Sequence, residues 1–131
     1  MFSSYDKFSK YGVVLRDKTP AGNEVFIQRE NTGWRLAEIS VNNSVVVEMS
    51  CHSNTPEGFF PIEGTAILTL SLDDSFKDCD TFLLDRPVLI NTGVWHGLAT
   101  LSDSARLIVV ENREVDIIKK NLKNERNGDY T

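Results

Sequence analysis

Hydrophobic positions along this chain come in short runs with the two-residue period of strands rather than the period of helices. In 45–52 side chains alternate across an extended backbone, so Val46, Glu48, Ser50 and His52 share one face while Val45, Val47, Met49 and Cys51 share the other. Similar runs fall at 12–15, 24–27, 34–41, 59–61, 66–71, 81–84, 87–91, 95–98 and 106–111. Turn chemistry separates them: Thr19-Pro20-Ala21-Gly22-Asn23, Asn31-Thr32-Gly33, Asn42-Asn43, Asn54-Thr55-Pro56 and Asp73-Asp74. Regular short strands with turns between them predict an all-β barrel or sandwich. Helix is expected only at the ends, as a serine-capped turn over 3–8 and a short helix over 114–122. No internal repeat or linker interrupts the pattern, so 1–123 reads as one domain, followed by a polar, frayed tail at 124–131.

The apolar face Val45, Val47, Met49, Cys51 has to be covered by a second sheet or a second subunit. Its opposite face carries polar groups, which are costly to bury unless they are hydrogen-bonded or coordinate something. Glu48 either joins that inward set or faces solvent.

Length and composition narrow the class of protein. A chain of 131 residues, 40% hydrophobic and 25% charged, is sized for one core. With a net charge of -5 and no basic cluster longer than Lys119-Lys120, a nucleic-acid or anionic-membrane surface is not expected. No stretch approaches the roughly 18 apolar residues of a membrane span, and the first residues lack a secretory pattern, so the expected location is cytoplasmic. Cys51 and Cys79, 28 positions apart, read as free thiols.

The chemistry concentrates at the only two histidines, His52 and His96. If both enter one cavity with Glu57, they form a two-histidine, one-carboxylate set suited to a divalent metal with open positions. Taken separately, each histidine can equally be an ordinary hydrogen-bonding residue. Without a metal the trio can still bind a small acid and act as an acid-base pair.

The spacing resembles that of cupin barrels, whose first motif is G-x5-H-x-H-x3-4-E-x6-G and whose second is G-x5-P-x-G-x2-H-x3-N. Four residues separate His52 from Glu57 and six separate Glu57 from Gly64, while Gly93-Val94-Trp95-His96 matches the core of the second motif. Ser50 stands where the first histidine would be, and Asn91 where the proline would be. Three longer stretches resemble the ureidoglycolate lyases, also called ureidoglycolate hydrolases. Phe8 to Val14 is similar to their F-x-x-Y-G-D-V-I, His52 to Gly64 to H-P-x-G-x-Q-A-F-x-P-x-x-G, and Gly93 to His96 with Leu107 to Glu111 to G-x-W-H-H-P and F-L-V-x-D. Departures are Glu57 for glutamine, Gly97 for the second histidine, and Asn91 for a histidine upstream of the tryptophan.

This resemblance implies a cupin-like double-stranded β-helix, or jelly-roll barrel, with short terminal helices, and a homodimer. It implies release of urea, or ammonia, and glyoxylate from ureidoglycolate or a related small hydroxy acid, with His96, Glu57 and His52 as catalytic residues and as ligands of a nickel, manganese or zinc ion. Arg35, Ser50, Asn91, Trp95 and Phe59 are the candidates for binding the small-molecule carboxylate substrate. Arg35 can also be a surface arginine, and Trp95 and Phe59 can be packing. A non-catalytic carboxylate-binding domain, or a cupin with other metal chemistry such as an isomerase or dioxygenase, stays open beside the lyase.

Overall fold

The structure, a computed structural model, describes residues 2–15 and 24–122. Ten strands form two five-stranded sheets: β1 (Gly12–Val14), β2 (Arg35–Val41), β3 (Glu48–Cys51), β4 (Glu57–Glu63), β5 (Ala66–Ser71), β6 (Asp80–Leu84), β7 (Val88–Ile90), β8 (Trp95–Thr100), β9 (Ala105–Glu111) and β10 (Ile118–Asn121). One sheet runs β1-β7-β4-β9-β2 and the other β10-β3-β8-β5-β6, with every pairing antiparallel. The fold is therefore the all-β sandwich expected from the pattern, in the jelly-roll form that the resemblance implied. Its core lies between the sheets, where Phe59, Val88, Ile90, Leu107 and Val109 of one meet Leu68, Leu70, Phe82 and Leu84 of the other.

The N-terminal turn is a 3₁₀ helix, Tyr5–Lys10, whose first free amide, that of Asp6, donates to the Ser4 hydroxyl. It lowers Phe8 and Tyr11 onto Phe82 and closes one end of the core. Beneath it the half-exposed Lys10 and the Ser3 and Tyr11 hydroxyls all reach the Asp80 carboxylate.

Three expectations need correction. The segment 114–122 is not a helix: Ile118–Asn121 is an edge strand paired with β3, register Ile118↔Cys51 to Asn121↔Glu48. The β3 edge would otherwise leave its backbone groups unpaired, and that ladder outweighs the helix propensity of a lysine-rich segment. The run 24–27 is not a strand either; Val25 and Ile27 are exposed and line a groove against Phe60, Leu89 and Val110. Third, 45–52 is regular strand only over Glu48–Cys51, because the chain bends at Ser44 and Val45.

That bend breaks the predicted alternation. Val46 lies beside Met49 and Cys51 instead of beside Glu48 and Ser50. Of the face expected to be covered, Met49 and Cys51 are buried with Trp95, Phe76 and Leu122, while Val45 and Val47 are exposed. Both cysteines are free, Cys51 buried and Cys79 exposed. The turn at Thr19 to Asn23 and the tail 124–131 lie outside the described residues. Among the described residues no helix is long and apolar enough to cross a membrane.

Candidate metal centre

Strand ends bring the chemistry together. His52 follows β3, Glu57 opens β4, His96 is the second residue of β8, and Ser50 pairs directly with His96. Directly paired residues share a face, and His96 also pairs with the core residue Leu70, so Ser50 and His96 both point inward.

The loop from His52 to Glu57 is tied to the segment after β9. Asn54 accepts from the Asp116 amide and donates to the Glu114 carbonyl, and Asn112 donates its amide to Thr55 and its side chain to the Asn54 carbonyl. On the other side the Gly93 amide donates to the His52 carbonyl. Gly93 has φ 86°, a left-handed turn conformation that favours glycine.

Glu57 Oε1 lies 3.1 Å from Nε2 of both His52 and His96, and the two imidazoles tilt together with centroids 4.9 Å apart. All three side chains are buried. Each Nδ1 sits 3.2 Å from a backbone carbonyl, Asp116 for His52 and Val94 for His96. A carbonyl only accepts, so each Nδ1 carries the proton, and a neutral ring then turns its Nε2 lone pair toward Glu57. Two lone pairs and a carboxylate oxygen cannot face one another without a cation between them.

A proton or a metal ion meets that demand. Burial pushes the Glu57 carboxyl up, but the hydrogen bonds and charges of His52 and His96 outweigh it and bring the pKa down to about 2. Burial works to lower the His52 pKa, and its bond to Glu57 and the charges of Glu57 and Glu111 raise it on balance. A divalent ion fits the same donors. Two atoms bonded to one ion at about 2.1 Å and at right angles stand about 3.0 Å apart, close to the 3.1 Å seen here. The ligand atoms of these three residues all lie within 4.8 Å of one another, and any pair wider than about 4.2 Å closes when one ion is held.

The other predicted site residues divide. Phe59 is buried with its ring edge on His96, centroids 5.7 Å apart. With Ser50, Glu57 and His96 it lines a cavity of about 300 Å³ that Ile39, Val41 and Val47 also wall. Arg35 stands at the edge of the same sheet face, with Nε and Nη2 on Glu111 Oε2 at 2.9 and 2.8 Å. Trp95 turns to the opposite face of its sheet, against Phe76. Asn91 is exposed in the turn before β8, its amide on the Tyr11 carbonyl.

Gly97 also faces away from the centre. A Cβ there would meet Val46 Cγ1 at 2.5 Å and the Glu48 carbonyl oxygen at 2.7 Å, so no histidine fits and none would reach the site.

Sequence reasoning missed Asn54 and Asp116, which set the loop and the His52 tautomer, and it missed Glu111. Glu111 was legible in principle: it continues the inward parity of Leu107 and Val109 at the end of β9.

The solved structures that resemble this one are distant in sequence. CapF, a capsular polysaccharide assembling protein of Staphylococcus aureus, superposes with a TM-score of 0.55 at 18% identity, over 70% of this chain and 27% of its own. Oxalate decarboxylase of Bacillus subtilis, known for Mn(II) centres, gives 0.51 at 16% over 72% and 25%. Procruciferin, an 11S globulin of Brassica napus, gives 0.52 at 15% over 64% and 22%. This is a cupin fold. This chain spans only about a quarter of each of these three chains, and they include both an enzyme and a globulin. No protein-family profile and no curated protein matches the chain. The ureidoglycolate lyase likeness thus rests on the three sequence stretches alone.

Proposed function

We propose that this cupin is a divalent-metal enzyme acting on a small hydroxy acid, with ureidoglycolate the first candidate and urea and glyoxylate the products. One observation carries the reading: two buried Nε2 atoms converge on one carboxylate oxygen, each ring held by a backbone carbonyl at Nδ1, and Glu57 and His96 line a small cavity. His52, Glu57 and His96 would hold a manganese, nickel or zinc ion, and three protein donors leave positions open as in catalytic sites. When bound, such an ion supplies Lewis acidity that lowers the pKa of a substrate hydroxyl.

The chain's own residues do the rest. Arg35, half-exposed with N–H groups left beyond its pair with Glu111, offers a carboxylate anchor at the open edge. Phe59, Ile39 and Val41 form the apolar part of the cavity wall, and Ser40, Asn43, Glu48 and Ser50 give the rest of it polar groups that can hold a small acid. Elimination needs the hydroxyl proton taken up and a proton delivered to the departing urea nitrogen. Both histidines of the chain are already committed to the centre, which leaves Glu48, on the cavity wall, as the carboxylate to carry that traffic.

The same shortage favours a second reading, a cupin that binds a small carboxylate without turnover. The test is glyoxylate release from racemic ureidoglycolate by protein reconstituted with manganese, nickel or zinc, compared with His96→Ala. Turnover abolished by the substitution supports the enzyme. Absence of wild-type turnover with a stoichiometric metal moves the assignment to the binding domain, and turnover that survives His96→Ala overturns the site.

A further inference from the structure

Among the described residues, Glu111 is a buried acid within 4 Å of a histidine of this centre that the three-residue set leaves out. Its side chain is 3% exposed. Register places it there: Arg35 pairs with Glu111, and Gly58 with Val110, so one step further along Glu57 and Glu111 come side by side on the inner face. The two oxygens of Glu111 have unlike surroundings. Oε2 takes Nε and Nη2 of Arg35, whereas Oε1 is buried and has no hydrogen-bond partner. Its neighbour is Nε2 of His52 at 3.8 Å, beyond hydrogen-bond range and on the side of the ring that faces Glu57.

A buried carboxylate oxygen without a donor is costly, and such atoms mark places where an ion, water or ligand belongs. Charge says which. With neutral rings, Glu57, Glu111 and Arg35 leave the pocket one negative charge, and the uncommitted atoms facing it are all acceptors. That asks for a cation rather than for another acceptor. Two atoms bonded to one ion at about 2.1 Å can stand roughly 3 to 4.2 Å apart, and the 3.8 Å between Glu111 Oε1 and His52 Nε2 lies inside that range.

We infer that Glu111 supplies a fourth protein donor to the metal centre through Oε1, with Arg35 holding Oε2 so that the free oxygen stays directed inward. This rests on the metal reading above and sharpens it. Four protein donors with two carboxylates describe a harder site than His-Glu-His alone, one that favours manganese over softer ions, and removing Arg35 would loosen its fourth arm.

Cobalt(II) titrated into chelator-treated protein tests this without any substrate, since its visible absorption reports the donor set. Wild type is compared with Glu111→Gln, which keeps shape and the acceptor for Arg35, and with Glu111→Asp, which keeps the charge and withdraws the oxygen. Arg35 reaches solvent, so both variants are expected to fold, as melting of the metal-free proteins would verify. The inference expects both to bind cobalt at least about tenfold more weakly and both to show an altered absorption band. Wild-type affinity and band in either variant would overturn it. So would weaker binding by Glu111→Gln with an unchanged band, which is a charge acting from a distance. Wild-type protein that binds no cobalt sinks the metal reading itself, a result distinct from these.

Discussion

Two buried carboxylates sit at different places in this barrel, and both are held below their ordinary pKa. Around Asp80, burial is outweighed by donors that carry their protons at any ordinary pH: the Tyr11 and Ser3 hydroxyls and the Lys10 ammonium. Around Glu57, burial is outweighed by two imidazole Nε2 atoms that carry a proton only when a ring is charged. The first carboxylate has donors whose protonation does not change with ordinary pH, and the second has donors that lose it as the rings become neutral. That difference separates a structural anchor from a site, although both are buried and ion-paired.

Substitutions should split along the same line. Glu57→Gln is expected to lower divalent-metal affinity by about a hundredfold or more, measured by calorimetry, while Asp80→Asn leaves that affinity unchanged. Conversely, Tyr11→Phe removes a buried hydrogen bond to a charged group and should cost about 1.5 to 3 kcal/mol of stability in denaturant melts, with metal binding intact. Equal metal affinities in Glu57→Gln and Asp80→Asn would erase the contrast.

pH sharpens it further. Glu57, brought from 4.5 to about 2, adds stability that is whole above the ordinary carboxylate range and is lost as pH falls from about 5 toward 2. His52, raised from 6.5, adds stability that is whole below its ordinary value and is lost as pH rises through the raised one. Both describe one interaction, so it counts once. Metal-free protein should therefore melt highest between about pH 5 and 6.5. Saturating manganese or zinc should remove the decline on the alkaline side, because metal replaces the proton. An alkaline limb unchanged by metal would contradict this. A smaller effect is expected of Asn54→Ala, which frees the loop between His52 and Glu57: metal affinity falls several-fold, with a modest drop in melting temperature.

The jelly roll and the triad were legible because strand periodicity and the spacing of His52, Glu57 and His96 are local features of sequence. What failed depended on neighbours. Helix propensity over 114–122 gave way to the open edge of β3, which only the sheet order reveals. Val46 crosses to the outer side because the bend at Ser44 and Val45 precedes the strand, and alternation read from composition cannot see a bend. Gly97 looked like a missing histidine, yet β3 passes so close to that position that a Cβ there would collide with it. The inward parity of Glu111 could be read from β9, but its partners could not, because Arg35 and Glu57 lie across the sheet and are distant in sequence.

The central claim is that His52, Glu57 and His96 converge to hold one divalent cation, and calorimetric titration of zinc into chelator-treated protein near pH 7 tests it most directly. The account predicts one ion per chain, with proton release where His52 was charged, and loss of that binding in His96→Ala. Failure of the wild type to bind, or binding undiminished in His96→Ala, would contradict it.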